Sequence, residues 1–194
     1  MLLVRHGRTA LNAGDRLRGR LDPPLDRVGL AEVRRTAQAL AGQSLLAVFC
    51  SPLRRAVQTA EAICRVANLG EPRLREELLD RDYGDWAGEP ESEVIEQWGS
   101  IDAAPGIESR ASVADRAGRL LAGRRPLLER GNIAFVTHDA VLRELVGTVA
   151  ARTDLQDHHF RTAGWSVIER VGPDEWRLLA MDRTAREPEG QERS

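Results

Sequence analysis

Three short apolar runs, "LLVRHG" (residues 2–7), "SLLAVFCSP" (44–52) and "NIAFVTHD" (132–139), each break off into residues that carry chemistry. Runs of this length bounded by polar residues predict buried strands. Between and after them come segments of helical period at 25–42, 52–68, 109–131 and 139–151. Strand followed by helix, repeated, predicts an α/β fold: a three-layer α/β/α sandwich with a mostly parallel central sheet. In the second helix Ser51 suits the N-cap and Pro52 the first helical position, where its missing N–H does no harm. "GWSVIERVG" (164–172) and "EWRLLAMD" (175–182), joined through Gly172, Pro173 and Asp174, predict a hairpin that closes one side of the sheet. A chain of 194 residues with 42% apolar content suits one domain, here 1–183, followed by a polar and disordered tail at 184–194.

Composition excludes several function classes. No signal-peptide segment is evident, and no apolar run approaches the roughly 18 residues of a membrane span, so a cytoplasmic protein that does not bind membranes is expected. All 28 basic residues are arginine and 30 acidic residues offset them, which gives no footprint for nucleic acid. Cys50 and Cys64 lack CxxC or zinc spacing and read as buried reduced thiols.

In open α/β sheets ligands sit beyond the carboxyl ends of the strands. Three predicted strands end in Arg5-His6-Gly7, in Ser51-Pro52 followed by Arg54-Arg55, and in Thr137-His138-Asp139. Converged at one edge, these imidazoles, guanidiniums and helix N-termini make a site for a dianion such as a phosphoryl group. The planar guanidinium fork matches phosphate oxygens and stays charged at any working pH. A neutral imidazole in that clamp can attack phosphorus and form a phosphohistidine. A lone histidine at a strand end is most simply a hydrogen-bonded structural residue; three such strand ends weaken that reading.

These residues resemble the histidine phosphatase superfamily, the phosphoglycerate mutase-like fold, over about residues 2–180. Arg5, His6, Gly7, Thr9 and Asn12 match its R-H-G opening and T-x-x-N motif. "GRLDPPLDRVG" (19–29), which begins at Gly19, resembles a second segment, and "SPLRRAVQTA" (51–60) a third, in which Arg55 takes the phosphate-ligand position and Arg54 is surface. "VTHDAV" resembles the strand end that carries the second catalytic histidine, His138. The resemblance implies that His6 attacks phosphorus while Arg5, Arg55, His138 and Asn12 hold the phosphoryl oxygens, with no metal and no cofactor. His6 then needs its other ring nitrogen bonded to a backbone carbonyl.

The family's proton donor, usually Glu, falls on Asp80 of "DRDYGDWAG". Glu77 and Asp139 compete for that role; Asp139 stands where this branch often has Gly and reads better as a helix N-cap. "DHH" (157–159) offers metal-ligand types but reads as a solvated loop. Trp86 and Trp98 flank the segment 87–97, which either covers the site or simply packs. Arg18 and Arg20 either recognise an anionic group on the substrate or stay solvated. Mutases of the family carry a basic insertion between the acid loop and the second histidine, whereas here residues 85–132 are short and their first half is acidic. A phosphomonoester phosphatase acting on a small phosphorylated metabolite is therefore expected. The alternatives are a cofactor-dependent phosphoglycerate mutase, a phosphoprotein or phosphohistidine phosphatase, and a catalytically silent phosphate-binding module. An edge strand and apolar surface would permit a homodimer.

Overall fold

The computed structural model describes residues 1–123, 125–151, 155, 158–172 and 175–185. The chain runs β1 (Leu2–Arg5), α1 (Arg27–Ala39), β2 (Leu45–Cys50), α2 (Arg54–Val66), β3 (Arg73–Leu74), α3 (Glu91–Trp98), α4 (Arg110–Ala122), α5 (Arg125–Leu128), β4 (Asn132–Thr137), α6 (Asp139–Ala150), β5 (Trp165–Arg170) and β6 (Trp176–Arg183). The six strands form one sheet in the order β3-β2-β4-β1-β5-β6. β1, β2, β3 and β4 pair in parallel, and β5 and β6 add an antiparallel margin. This is the α/β architecture the alternation predicts. Because β2, β4 and β1 are parallel neighbours, their carboxyl ends share one edge of the sheet.

Apolar side chains alternate across the sheet and fill a core on each face. Leu3, Phe49, Ile133 and Phe135 pack with Val113, Ala117 and Leu120 of α4 and Val141, Leu142 and Leu145 of α6. Leu2, Val4, Val48, Ala134 and Val136 pack on the other side with Ala37 of α1 and Ala56, Ala60 and Ile63 of α2. Strands buried on both faces need apolar residues at every position, which explains why these runs are continuous rather than alternating. Cys50 and Cys64 lie in the second core as free thiols, pushed up to about 12 and about 11 by burial. Among the described residues no helix is long and apolar enough to cross a membrane.

Several boundaries differ from the sequence expectation. α2 begins at Arg54, not at Pro52, because the Ser51 N–H still donates to Val136 O at 3.0 Å and so continues the sheet. Ser51 therefore does not cap the helix; its hydroxyl accepts from the Leu53 N–H in a short turn. The segment 109–131 is two helices. α4 closes with Gly123, and Pro126 lacks the N–H that a continuous helix would direct at Ala122. β3 and α3 were not expected, since two residues or eight carry too little periodicity to read. Pro173 and Asp174 of the hairpin turn, Asp157 and residues 186–194 lie outside the described residues.

Candidate active site

The shared strand edge brings the two histidines together. The His6 backbone is pinned on both sides, its N–H donating to Thr137 O at 3.0 Å and its carbonyl accepting from Ala163 N at 3.0 Å. The rings of His6 and His138 stand 5.1 Å apart at 55°. His6 Nδ1 lies 2.7 Å from Gly7 O, and since a carbonyl only accepts, Nδ1 carries the hydrogen and Nε2 the lone pair. Both rings are fully buried, and among the described residues His6 Nε2 and both His138 ring nitrogens are without a hydrogen-bond partner. Burial first, then the charges of Arg55, Arg5 and Arg18, hold both histidines well below the usual imidazole range. They are neutral at pH 7.

Close packing fixes this geometry. A Cβ on Gly7 would fall 2.5 Å from Val33 Cγ2 and 2.8 Å from Gly29 O, so only glycine lets the end of β1 abut α1. Arg55, in the first turn of α2, is fully buried, whereas Arg54 is exposed. The Arg55 guanidinium donates to Leu21 O at 2.6 Å, Gly19 O at 2.9 Å and Asp80 Oδ2 at 3.2 Å. Gly19 sits at φ 49°, in the left-handed region, and a Cβ there would approach Arg81 O to 3.1 Å. Arg5 donates to Phe160 O and lies 4.0 Å from Asp139. Asn12 Oδ1 accepts from the Thr9 N–H and hydroxyl at 3.0 and 2.9 Å, which leaves the amide NH2 as the donor end.

The carboxylates divide between two tasks. Asp80 is buried beside the histidines; its Oδ2 lies 3.7 Å from His138 Nδ1, and its Oδ1 accepts from Arg81 N at 2.9 Å. Glu77 is linked to this region through its backbone carbonyl, which accepts from Arg116. Asp139 is not an N-cap: it is the first residue of α6, and its carboxylate accepts from Phe160 N at 2.8 Å and pairs with Arg143 at 3.2 Å. Burial alone would raise its pKa, but the His159 ring and the charges of Arg5 and Arg143 bring it down to about 2. Sequence reasoning missed Arg143 and the Phe160 carbonyl; the available signal was the i,i+4 spacing of Asp139 and Arg143. His158 and His159 face different carboxylates, Asp182 and Asp139, at 3.7 Å each. They do not converge on a common point.

A cavity of about 350 Å³ opens beside Asp80 and Asp139, lined also by Arg18, Arg143, Tyr83 and Ile95. Ile95 belongs to α3, so the segment 87–97 bounds the cavity. Trp86 packs against the small core of Leu17, Tyr83, Val94 and Ala104, and the exposed Trp98 meets it edge-on at 5.9 Å. Arg20 is 3.8 Å from Asp82 and 3.9 Å from Glu108. Arg18 lies among the cavity-lining residues and close enough to the histidines for its charge to lower both.

Comparison with known proteins bears on the family and the fold. Residues 1–184 match the family model of the histidine phosphatase superfamily (branch 1). An uncharacterised phosphatase, PhoE of Bacillus subtilis, is 29% identical over 91% of this chain and 90% of its own length. A 2,3-bisphosphoglycerate-dependent phosphoglycerate mutase of Rhizobium etli is 34% identical over 75% of this chain and 77% of its own. A mycobacterial glucosyl-3-phosphoglycerate phosphatase, solved with VO3, superposes with a TM-score of 0.85 at 23% identity, covering 95% of this chain and 99% of that one; this likeness bears on the fold.

Proposed function

This chain belongs to the histidine phosphatase superfamily, and we propose that it is a metal-independent phosphomonoester phosphatase that acts on a small phosphorylated metabolite in the cytoplasm through a phosphohistidine on His6. The observation that carries the reading is the His6 tautomer: the Gly7 carbonyl takes the Nδ1 hydrogen and leaves a lone pair on a buried nitrogen beside His138. Arg5, Arg55, His138 and Asn12 bind the non-bridging oxygens, and their fixed donors stabilise the charge that redistributes in the transition state. In the first step the Nε2–P bond forms as the P–O ester bond breaks, and Asp80 passes a proton to the departing oxygen. In the second, Asp80 takes a proton from water, the P–O bond to that water forms, the N–P bond breaks and phosphate leaves. An ester bound as its monoanion supplies the first proton.

Asp139 suits the acid role poorly, because its carboxylate is committed to Phe160 N at 2.8 Å and to Arg143 at 3.2 Å. The test is hydrolysis of para-nitrophenyl phosphate by the wild type and by His6→Ala. The expected result is turnover insensitive to EDTA and an acid-labile phosphoenzyme, both lost in the variant. Turnover that requires an added divalent ion refutes the proposal. The mutase names among the relatives favour a second reading, in which a phosphoglycerate rather than water discharges the phosphohistidine. Isomer formation from 3-phosphoglycerate with 2,3-bisphosphoglycerate distinguishes the two, and the acidic segment 89–109 argues for water.

A further inference from the structure

Asp80 sits in an irregular segment, 79–83, with no helix or strand ladder to hold it. Four successive carbonyls leading to it are nonetheless held by side chains from elsewhere. Arg116 of α4 donates to Glu77 O at 2.8 Å, Leu79 O at 2.6 Å and Asp80 O at 3.2 Å. The Thr137 hydroxyl, one residue before His138, donates to Leu78 O at 2.8 Å. Arg116 is itself fixed by a two-point bond to Glu108, Nε to Oε1 at 2.9 Å and Nη2 to Oε2 at 3.1 Å. Glu108 also grips the far side of Asp80: its Oε2 accepts from Asp82 N at 3.1 Å, its N–H donates to Asp82 O at 2.8 Å, and its carbonyl accepts from Arg81 Nε at 2.6 Å. Burial would raise the Glu108 carboxyl, but Arg116 and the Asp82 N–H hold it below its ordinary value, so the pair is ionic.

We infer that Arg116 and Glu108 form a clamp that positions Asp80 for proton transfer, so that they are positioning residues specific to substrates with poor leaving groups. The inference rests on the proposed role of Asp80 as proton donor. A guanidinium is the side chain suited to this task, because its planar fork satisfies three carbonyls and a carboxylate at once, which an ammonium cannot. General acid catalysis tolerates little displacement, since the donor must lie within hydrogen-bond reach of the leaving oxygen. Loosening the loop by an ångström leaves the phosphoryl clamp of Arg5, Arg55 and His138 in place while the acid misses its target.

The experiment measures kcat/KM, which reports phosphoenzyme formation and not its hydrolysis, for the wild type, Arg116→Lys, Arg116→Gln and Asp80→Asn on para-nitrophenyl phosphate, whose leaving group needs no proton, and on 2-glycerophosphate, whose leaving group does. Both Arg116 variants are expected to lose about 10²-fold in kcat/KM on the alkyl ester and less than about threefold on the aryl ester, in the pattern of Asp80→Asn. Equal loss on both esters, or loss on neither, overturns the clamp. An Asp80→Asn enzyme with no leaving-group dependence removes the acid assignment and this inference together, whereas selective loss in Asp80→Asn alone overturns the clamp only. Should Arg116→Gln fail to fold by circular dichroism, Glu108→Gln replaces it: a smaller loss confined to the alkyl ester supports the clamp, and equal loss or none overturns it.

Discussion

Asp139→Asn separates structural from chemical roles at the strand edge, because it removes one charge and keeps the side chain's shape. The carboxyl stands at about 2 in the folded protein against an ordinary 3.8, a depression worth about 2 kcal/mol at roughly 1.36 kcal/mol per unit. A depressed carboxyl contributes stability that is fully present above its unfolded value and is lost as pH falls through the folded one. At pH 6, where His159 is protonated because Asp139 pushes its pKa up, the variant is expected to be less stable by about 2 kcal/mol in denaturant unfolding. For a chain of this size that corresponds to a fall in Tm of about 4–8 °C. The asparagine oxygen can still accept from Phe160 N, but the ionic partners Arg5 and Arg143 lose their counter-charge. Since Arg5 belongs to the proposed phosphoryl clamp, kcat should fall by the same factor on aryl and alkyl esters. A stability change below about 0.5 kcal/mol refutes the reasoning, and a loss confined to alkyl esters returns Asp139 to the acid role.

The two buried neutral histidines make stability depend on pH in a defined direction. Their folded values lie below the unfolded value near 6.5, so the unfolded chain binds more protons below that pH, and stability should fall by up to about 2.7 kcal/mol per pH unit on acidification, with His159 offsetting part of this. Denaturant unfolding between pH 8 and pH 5 measures the slope, and stability that rises toward pH 5 contradicts it. Gly7→Ala places a methyl 2.5 Å from Val33 and 2.8 Å from the Gly29 carbonyl, so it should destabilise by about 1–3 kcal/mol and displace His6. Unchanged Tm and activity would show that α1 yields freely.

The sequence carried the fold through its buried strands, because a strand covered on both faces must be apolar throughout and its polar end stands out. The same property exposed Arg5, His6 and His138 as residues at one edge. What stayed hidden lies in irregular structure. The choice between Ser51 and Leu53 as the start of α2 depends on whether the Ser51 N–H finds a partner across the sheet, and that partner, Val136, is 85 positions away. Asp139 read as a helix cap because its local sequence permits one. Its actual partner, Phe160 N, comes from a loop that nothing near Asp139 in sequence identifies.

Arg55 links the two halves of the proposed reaction. One of its Nη2 hydrogens bonds the Asp80 carboxylate at 3.2 Å, a buried ion pair. A phosphoryl dianion competes for that guanidinium, and two negative groups cannot share it without cost in a site where both histidines are neutral. In the proposed mechanism, transfer of the monoanionic ester's proton to Asp80 relieves the conflict and supplies the leaving oxygen. The shorter side chain of Asp relative to Glu fits this logic, since a proposed acid that pairs with Arg55 has to lie within bonding distance of the proposed phosphate ligand.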